Sequence, residues 1–122
     1  MTWSSAGSIL LALAVALGAF GAHGLRDRLD AYSMSLWEKA VFYHFIHALG
    51  LLIASFLPKT GTFSESATTM VCALLLAGIV IFSGSLYLLA LTGNRMLGAI
   101  TPIGGLSFIA AWLLLAWFLL RR

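Results

Sequence analysis

Four long apolar runs, parted by three short polar breaks, constrain this chain more than any single residue does. A membrane span needs about 20 mostly apolar residues. Residues 3–25, 36–57, 67–91 and 97–120 each reach that length. The breaks are Arg26 to Ser35, Pro58 to Ser66, and the turn signal Thr92-Gly93-Asn94-Arg95. Inside a bilayer every backbone N–H and C=O must be satisfied within the structure, so runs of this kind fold as helices. Short connections make successive helices antiparallel. The expected fold is all-α: a single four-helix transmembrane domain covering residues 1–122, with both ends of the chain on one side. The fourth span has two readings at its start. Thr101-Pro102 can serve as an N-cap and first helical residue, or the helix can begin at Leu97 with proline in its first turn.

Composition agrees. Of the residues, 61% are hydrophobic and 9% charged, whereas about a quarter are charged in a soluble domain. Such a chain cannot cover a water-facing surface, so the expected partner is the lipid bilayer and the expected place a cell membrane, crossed several times. A homo-oligomer or a membrane-protein partner is compatible with this. The net charge of +3 comes without a basic run interleaved with aromatics, which speaks against nucleic acid. Cys72 is the only cysteine, so no intrachain disulfide forms, and a lone thiol among leucines reads as packing. Ala19-Phe20-Gly21 has the small-x-small pattern of a cleavage site, but no Lys or Arg precedes the first apolar run. The run is read as a retained span. Lys59, Arg121 and Arg122 flank one side and Arg26, Arg28, Lys39 and Arg95 the other, which leaves orientation open.

The stretch Trp37 to Gly50 organises the rest. On a helix, Phe42, Phe45, Leu49, Leu52 and Phe56 share one face, and Ala40, His44, His47, Ala48, Leu51 and Ser55 the other, with Trp37 at the top. The bulky face suits lipid and the small, polar face suits other helices. In the first span Ala14, Gly18 and Ala22 lie four apart, with Gly7 and Gly21 near that face. This small-residue spacing predicts close helix packing.

Antiparallel spans gather His23, Glu38, Tyr43, His44, Ser85, Tyr87, Thr92, Asn94 and Thr101 near one membrane face. At 1.5 Å per residue His44 lies about 10 Å, and His47 about 15 Å, down the helix from Trp37. The opposite half reads as nearly all Leu, Ala, Val and Ile, which suggests a polar pocket or funnel in one leaflet. Intramembrane ionisable residues are costly and mark candidate sites. The candidate ligand-binding set is His23, Glu38, Tyr43, His44, His47, Ser85 and Thr101. Its histidines have three readings: neutral imidazoles that bond Ser85, Thr101 or backbone carbonyls and tie helices together, with His44 near Ser85 or Thr101; a site for a lipid, quinone or small solute; or ligands for a metal or haem. Helix tying is preferred, because two histidines without a nearby Cys or Asp are a weak metal signal. No metal or cofactor is expected. Glu38 points away from His47 on its helix, so its expected partner is Lys39, Arg26 or Arg95 at headgroup level.

Four segments in order, Gly18-Ala-Phe-Gly-Ala-His23-Gly24-Leu25, Tyr43-His-Phe-Ile-His47-Ala-Leu49, Phe82-Ser-Gly-Ser-Leu-Tyr87 and Leu97-Gly-Ala-Ile-Thr-Pro-Ile-Gly-Gly105, resemble the domain-of-unknown-function 423 family, which includes the transmembrane protein 256 group. The resemblance covers nearly the whole chain and implies a small four-helix membrane protein. It implies no activity and carries over no catalytic residue.

No span holds an Asp or Glu in its interior, which disfavours a proton-coupled exporter. No Ser/His/Asp set, phosphate-binding glycine loop or CxxC occurs, so an enzyme is not expected. Two classes remain: a structural or assembly protein of the membrane, and a binding or permeation protein that uses the polar layer.

Overall fold

The computed structural model describes residues 1–61 and 63–121. Thr62, in the second break, and Arg122, one of the flanking cations, lie outside the described residues. The chain runs through α1 (Trp3–His23), α2 (Ala31–Ala54), a 3₁₀ turn (Leu57–Thr60), α3 (Glu65–Gly78), a π-helical turn (Ile79–Ser83), α4 (Gly84–Thr92) and α5 (Met96–Leu120). α3, the π turn and α4 join into one 28-residue helix, Glu65–Thr92. Among the described residues, four helices are long and apolar enough to cross a membrane.

Side chains at the helix starts explain the boundaries. Ser5 N–H donates to Thr2 Oγ1 at 3.2 Å, while Thr2 N–H donates to Ser5 Oγ at 2.9 Å, a reciprocal cap for α1. Ser33 N–H donates to Asp30 Oδ1 at 2.7 Å. That cap starts α2 at Ala31 rather than at Leu36, so Tyr32, Ser33 and Ser35 are helical instead of loop. Ser64 Oγ accepts from Ala67 N–H at the head of α3. Gly93, with φ of 69°, ends α4 in the left-handed conformation that glycine adopts at low cost. Asn94 Oδ1 accepts from Met96 N–H at 3.1 Å and starts α5 there. Of the two expected starts, Leu97 agrees with α5 to within one residue, although Pro102 lies beyond the first turn; the Thr101-Pro102 start is corrected, since Thr101 Oγ1 donates back to the Leu97 carbonyl rather than capping a helix.

α2 and the third span pack along the middle of the bundle, with α1 against α2 and α5 against the third span. Large apolar side chains on the flanks, such as Val15, Phe20, Leu106, Leu113 and Trp117, stay exposed and suit lipid. The faces of α2 follow the helical pattern: Phe42, Phe45, Leu49 and Phe56 are exposed, and Ala40, His44, His47, Ala48 and Leu51 buried. Leu52 departs from the expectation. It is half-buried, because it packs on Gly7 of α1.

The buried stripe of α1 is Gly7, Ala14 and Gly21, spaced by seven. Two helical turns per step keep that stripe against one partner helix, as in a coiled-coil seam. The indole of Trp37 lies where a Cβ on Gly21 would go, and its Nε1–H donates to the Leu17 carbonyl at 2.9 Å. The expected Ala14, Gly18, Ala22 face thus shares only Ala14 with the buried stripe. Gly18 is half-buried beside Val41, and Ala22 is exposed.

Two apolar clusters form the core. One joins Ala48, Leu51, Val71, Cys72, Leu75, Ile79 and Phe108, and the other Leu36, Trp37, Ala40, Leu86, Leu89 and Ala90. The buried His44 and His47 of α2 and Ser83 and Ser85 of the third span fall in the stretch between these clusters, and the buried Thr68 lies outside it.

Candidate functional site

The polar layer begins with the backbone of α2. Its i, i+3 spacing turns both imidazoles inward, leaving His44 4% and His47 5% exposed. They make different contacts. His44 Nδ1 and the Tyr87 hydroxyl are 3.0 Å apart and hydrogen-bonded, which links α2 to α4. The backbone of Leu10 in α1 lies against the same ring, and Nε2 is buried without a hydrogen-bond partner. His44 therefore bears on three spans at once. His47 Nδ1–H donates to the Tyr43 carbonyl at 2.7 Å, and an acceptor-only carbonyl fixes the proton on Nδ1. Its ring stacks on Phe108 of α5, with centroids 3.5 Å apart and planes within 14°.

The third span supplies the rest through its π turn. Ser83 is fully buried, and its Oγ donates to the Ala40 carbonyl of α2 at 2.8 Å. Two residues on, Ser85 Oγ and Thr101 Oγ1 are hydrogen-bonded at 2.6 Å, joining α4 to α5. Gly104 of α5 meets the backbone of Phe82 so closely that a Cβ there would collide with the Phe82 nitrogen. A π turn is where an extra residue enters the helix, and such turns recur where a helix must aim side chains at a neighbour. Here it sits between the contacts made by Ser83 and Gly104.

His44 thus takes Tyr87 as its partner, while the expected alternatives, Ser85 and Thr101, take each other. Tyr43 is partly exposed, its ring 4.4 Å from that of Phe82. It lines an open groove of about 470 Å³ between α2, α4 and α5, together with Lys39, Gly98, Thr101 and Pro102. Pro102 has no N–H to give the Gly98 carbonyl, and both residues line that groove. His23 is exposed at the end of α1 and does not join the other two histidines. Among the described residues no group of three or more His, Cys, Asp or Glu side chains is placed to hold a metal ion. Glu38 is exposed, and it shares a groove with Arg26 without an ion pair. No salt bridge to Lys39, Arg26 or Arg95 forms, because each of these side chains extends into open surroundings.

Several polar contacts were not anticipated from the sequence. Ser107 Oγ of α5 donates to the Leu74 carbonyl at 2.7 Å, and a serine inside a run of apolar residues was the available signal. The half expected to be nearly apolar also carries polar groups. Thr68 is buried there, and its Oγ1 has no hydrogen-bond partner. The i, i+1 pair Thr68-Thr69 at the head of the third span was the signal for it.

The DUF423 family, described as "Protein of unknown function", matches residues 17–105. UPF0382 membrane protein SH2409 of Staphylococcus haemolyticus is 51% identical over 109 residues, which is 89% of this chain and 87% of that protein. UPF0382 membrane protein YwdK of Bacillus subtilis is 48% identical over 109 residues, covering 89% and 88%. No solved structure matches the chain. The matched residues run from the end of α1 to Gly104 and Gly105, and so contain every histidine, the His44 partner Tyr87, and the Ser85–Thr101 pair. On that match and those relatives, the chain belongs to the DUF423 family of membrane proteins of unknown function.

Proposed function

We propose that the protein is a non-enzymatic structural or assembly component of the cell membrane. The observation that carries this reading is how the buried polar groups are used. Trp37 ties α2 to α1, Ser83 ties the π turn to α2, His44 meets Tyr87, Ser85 meets Thr101, and Ser107 ties α5 to α3. These contacts link all four spans. Helix association in lipid lacks a hydrophobic drive and relies on close packing and interhelical hydrogen bonds. A layer spent on such contacts serves rigidity rather than turnover.

Self-association belongs to the same reading. Gly18, Gly21, Ala22, Val41 and Phe45 line an apolar groove of about 460 Å³ on the outer side of α1 and α2. Its small residues allow the close approach of a second copy. Gly18→Leu fills that groove and should shift the detergent-solubilised protein to a smaller species in light scattering.

The reading is tested on the purified chain. It expects no stoichiometric metal, no Soret absorbance, and a His44→Gln variant that folds and assembles as the parent does, since an amide donates and accepts in the same place. A chromophore or metal present in the parent and lost in His44→Gln contradicts it. A second reading, a binding or permeation protein, is favoured by the groove lined by Lys39, Tyr43 and Gly98. That reading expects Tyr43→Phe to change solute uptake into vesicles without changing thermal stability.

A further inference from the structure

At the rim opposite the histidine layer, α1 and α3 both begin and α2 ends. A cleft of about 540 Å³ opens among them, lined by Trp3, Ser4, Lys59, Glu65, Thr68 and Thr69. Thr68 lines this cleft at 3% exposure, and its buried Oγ1 has no hydrogen-bond partner. A buried hydroxyl left without a partner is unfavourable. Its placement therefore points to a group that enters the cleft.

We infer that this cleft binds the headgroup of a phospholipid carrying both a phosphate and an ammonium, the phosphoethanolamine class. Three features select the phosphate. The first turns of α1 (21 residues) and α3 (14 residues) present backbone N–H groups and the positive ends of their dipoles. The Thr68 hydroxyl supplies a donor, and Lys59 a positive charge. Lys59 lies over the Phe56 ring, 5.0 Å from its centroid. Two features select the ammonium. Glu65 stands in the first turn of α3, and Ser55, at the carbonyl end of α2, also lines the cleft. Lys59 and Glu65 form no ion pair with each other. One cleft thus displays two opposite charges that a zwitterion of matching polarity satisfies together. The lining continues to Ala6 and Leu76. Leu76 lies about 16 Å along its helix from Glu65, at 1.5 Å per residue. That apolar stem suits an acyl chain, and Trp3 is half-buried at the depth where indoles sit in membranes. One tie between helices does lie in this cleft, the Trp3 Nε1–H bond to Thr69 Oγ1 at 3.4 Å, but the assignment does not depend on the proposed structural role, because it rests on Lys59, Glu65 and Thr68, which tie no helices together.

The experiment titrates the full chain in detergent with phosphatidylethanolamine, phosphatidylglycerol of the same acyl chains, and soluble glycerophosphoethanolamine, read by native mass spectrometry. The parent should bind phosphatidylethanolamine in preference to phosphatidylglycerol. Thr68→Val, which keeps the shape and removes the hydroxyl, should weaken that binding about tenfold, as expected for one lost hydrogen bond to a charged group. Lys59→Gln, at an exposed position that leaves the fold alone, should weaken it as well, and Glu65→Gln should erase the preference over phosphatidylglycerol. Equal binding of the two lipids by the parent overturns the assignment. So does unchanged binding in both Thr68→Val and Lys59→Gln. Glycerophosphoethanolamine that binds as tightly as the lipid overturns the lipid as occupant, since the apolar stem then contributes nothing.

Discussion

His44 and Thr68 are both buried polar side chains on spanning helices, yet they are partnered differently. His44 shares a hydrogen bond with Tyr87 through Nδ1 and leaves Nε2 unpaired in the closed interior, and its neighbours Ser83 and Ser85 are bonded across helix boundaries. Thr68 lines an open cleft with its hydroxyl unpaired, beside Lys59 and Glu65. In the first region the polar groups replace water with one another and hold helices in register. In the second they stand ready for a group from outside. Polarity inside a membrane protein therefore does not by itself mark a site. What separates the two cases is that His44 carries a bond between helices through one of its two ring nitrogens, whereas the Thr68 hydroxyl carries none.

The strongest way to break this contrast is to open the tied region. Gly104 approaches the Phe82 backbone too closely for any Cβ, so Gly104→Val must push α5 off the π turn. Overpacking costs about 1–3 kcal/mol, and more where the obstacle is backbone. Thermal melts in detergent should show the largest loss here, and an unchanged melting temperature would mean that α5 is not seated as described. Ser83→Ala comes next. It removes the bond to the Ala40 carbonyl and should cost about 0.6–1.7 kcal/mol, the range of such bonds between membrane helices. By comparison, Thr68→Val should leave the melt unmoved or raise it, because the lost hydroxyl bonds nothing in the fold. A loss at Thr68 as large as that at Ser83 would erase the difference between the regions.

The smallest effect concerns Asp30, outside the spans. The Ser33 N–H it accepts holds its carboxyl below the ordinary aspartate value. A depressed folded pKa contributes stability above the unfolded value, lost as pH falls through the folded one. The parent should therefore melt slightly lower in acid than at neutral pH, and Asp30→Asn, which caps without titrating, should lose less on acidification. Equal acid shifts in both would place the pH dependence elsewhere.

Much of the fold was legible because hydropathy and helical period act locally. The spans, the inward turn of His44 and His47, and the lipid-facing Phe42, Phe45, Leu49 and Phe56 follow from spacing alone. What the sequence hid depends on partners distant along the chain. The seam Gly7, Ala14, Gly21 is defined by Leu52 and Trp37 of α2, so counting small residues on α1 favoured Gly18 and Ala22 instead. The π turn at Ile79–Ser83 has no local code, since it answers to the Ala40 carbonyl and to Gly104. The early start of α2 turned on one cap, Asp30, whose side chain makes a polar segment helical. His23 shares a membrane face with the other histidines by topology, but its position at an exposed helix end keeps it apart.

The central claim is that the histidine layer holds helices together. A double-mutant cycle on His44 and Tyr87, with His44→Leu, Tyr87→Phe and the pair, measures it most directly through unfolding free energies in detergent. The account predicts a coupling of about 0.6–1.7 kcal/mol between the two substitutions. Effects that add to within about 0.3 kcal/mol would contradict it, because the bond between α2 and α4 would then contribute nothing to holding them.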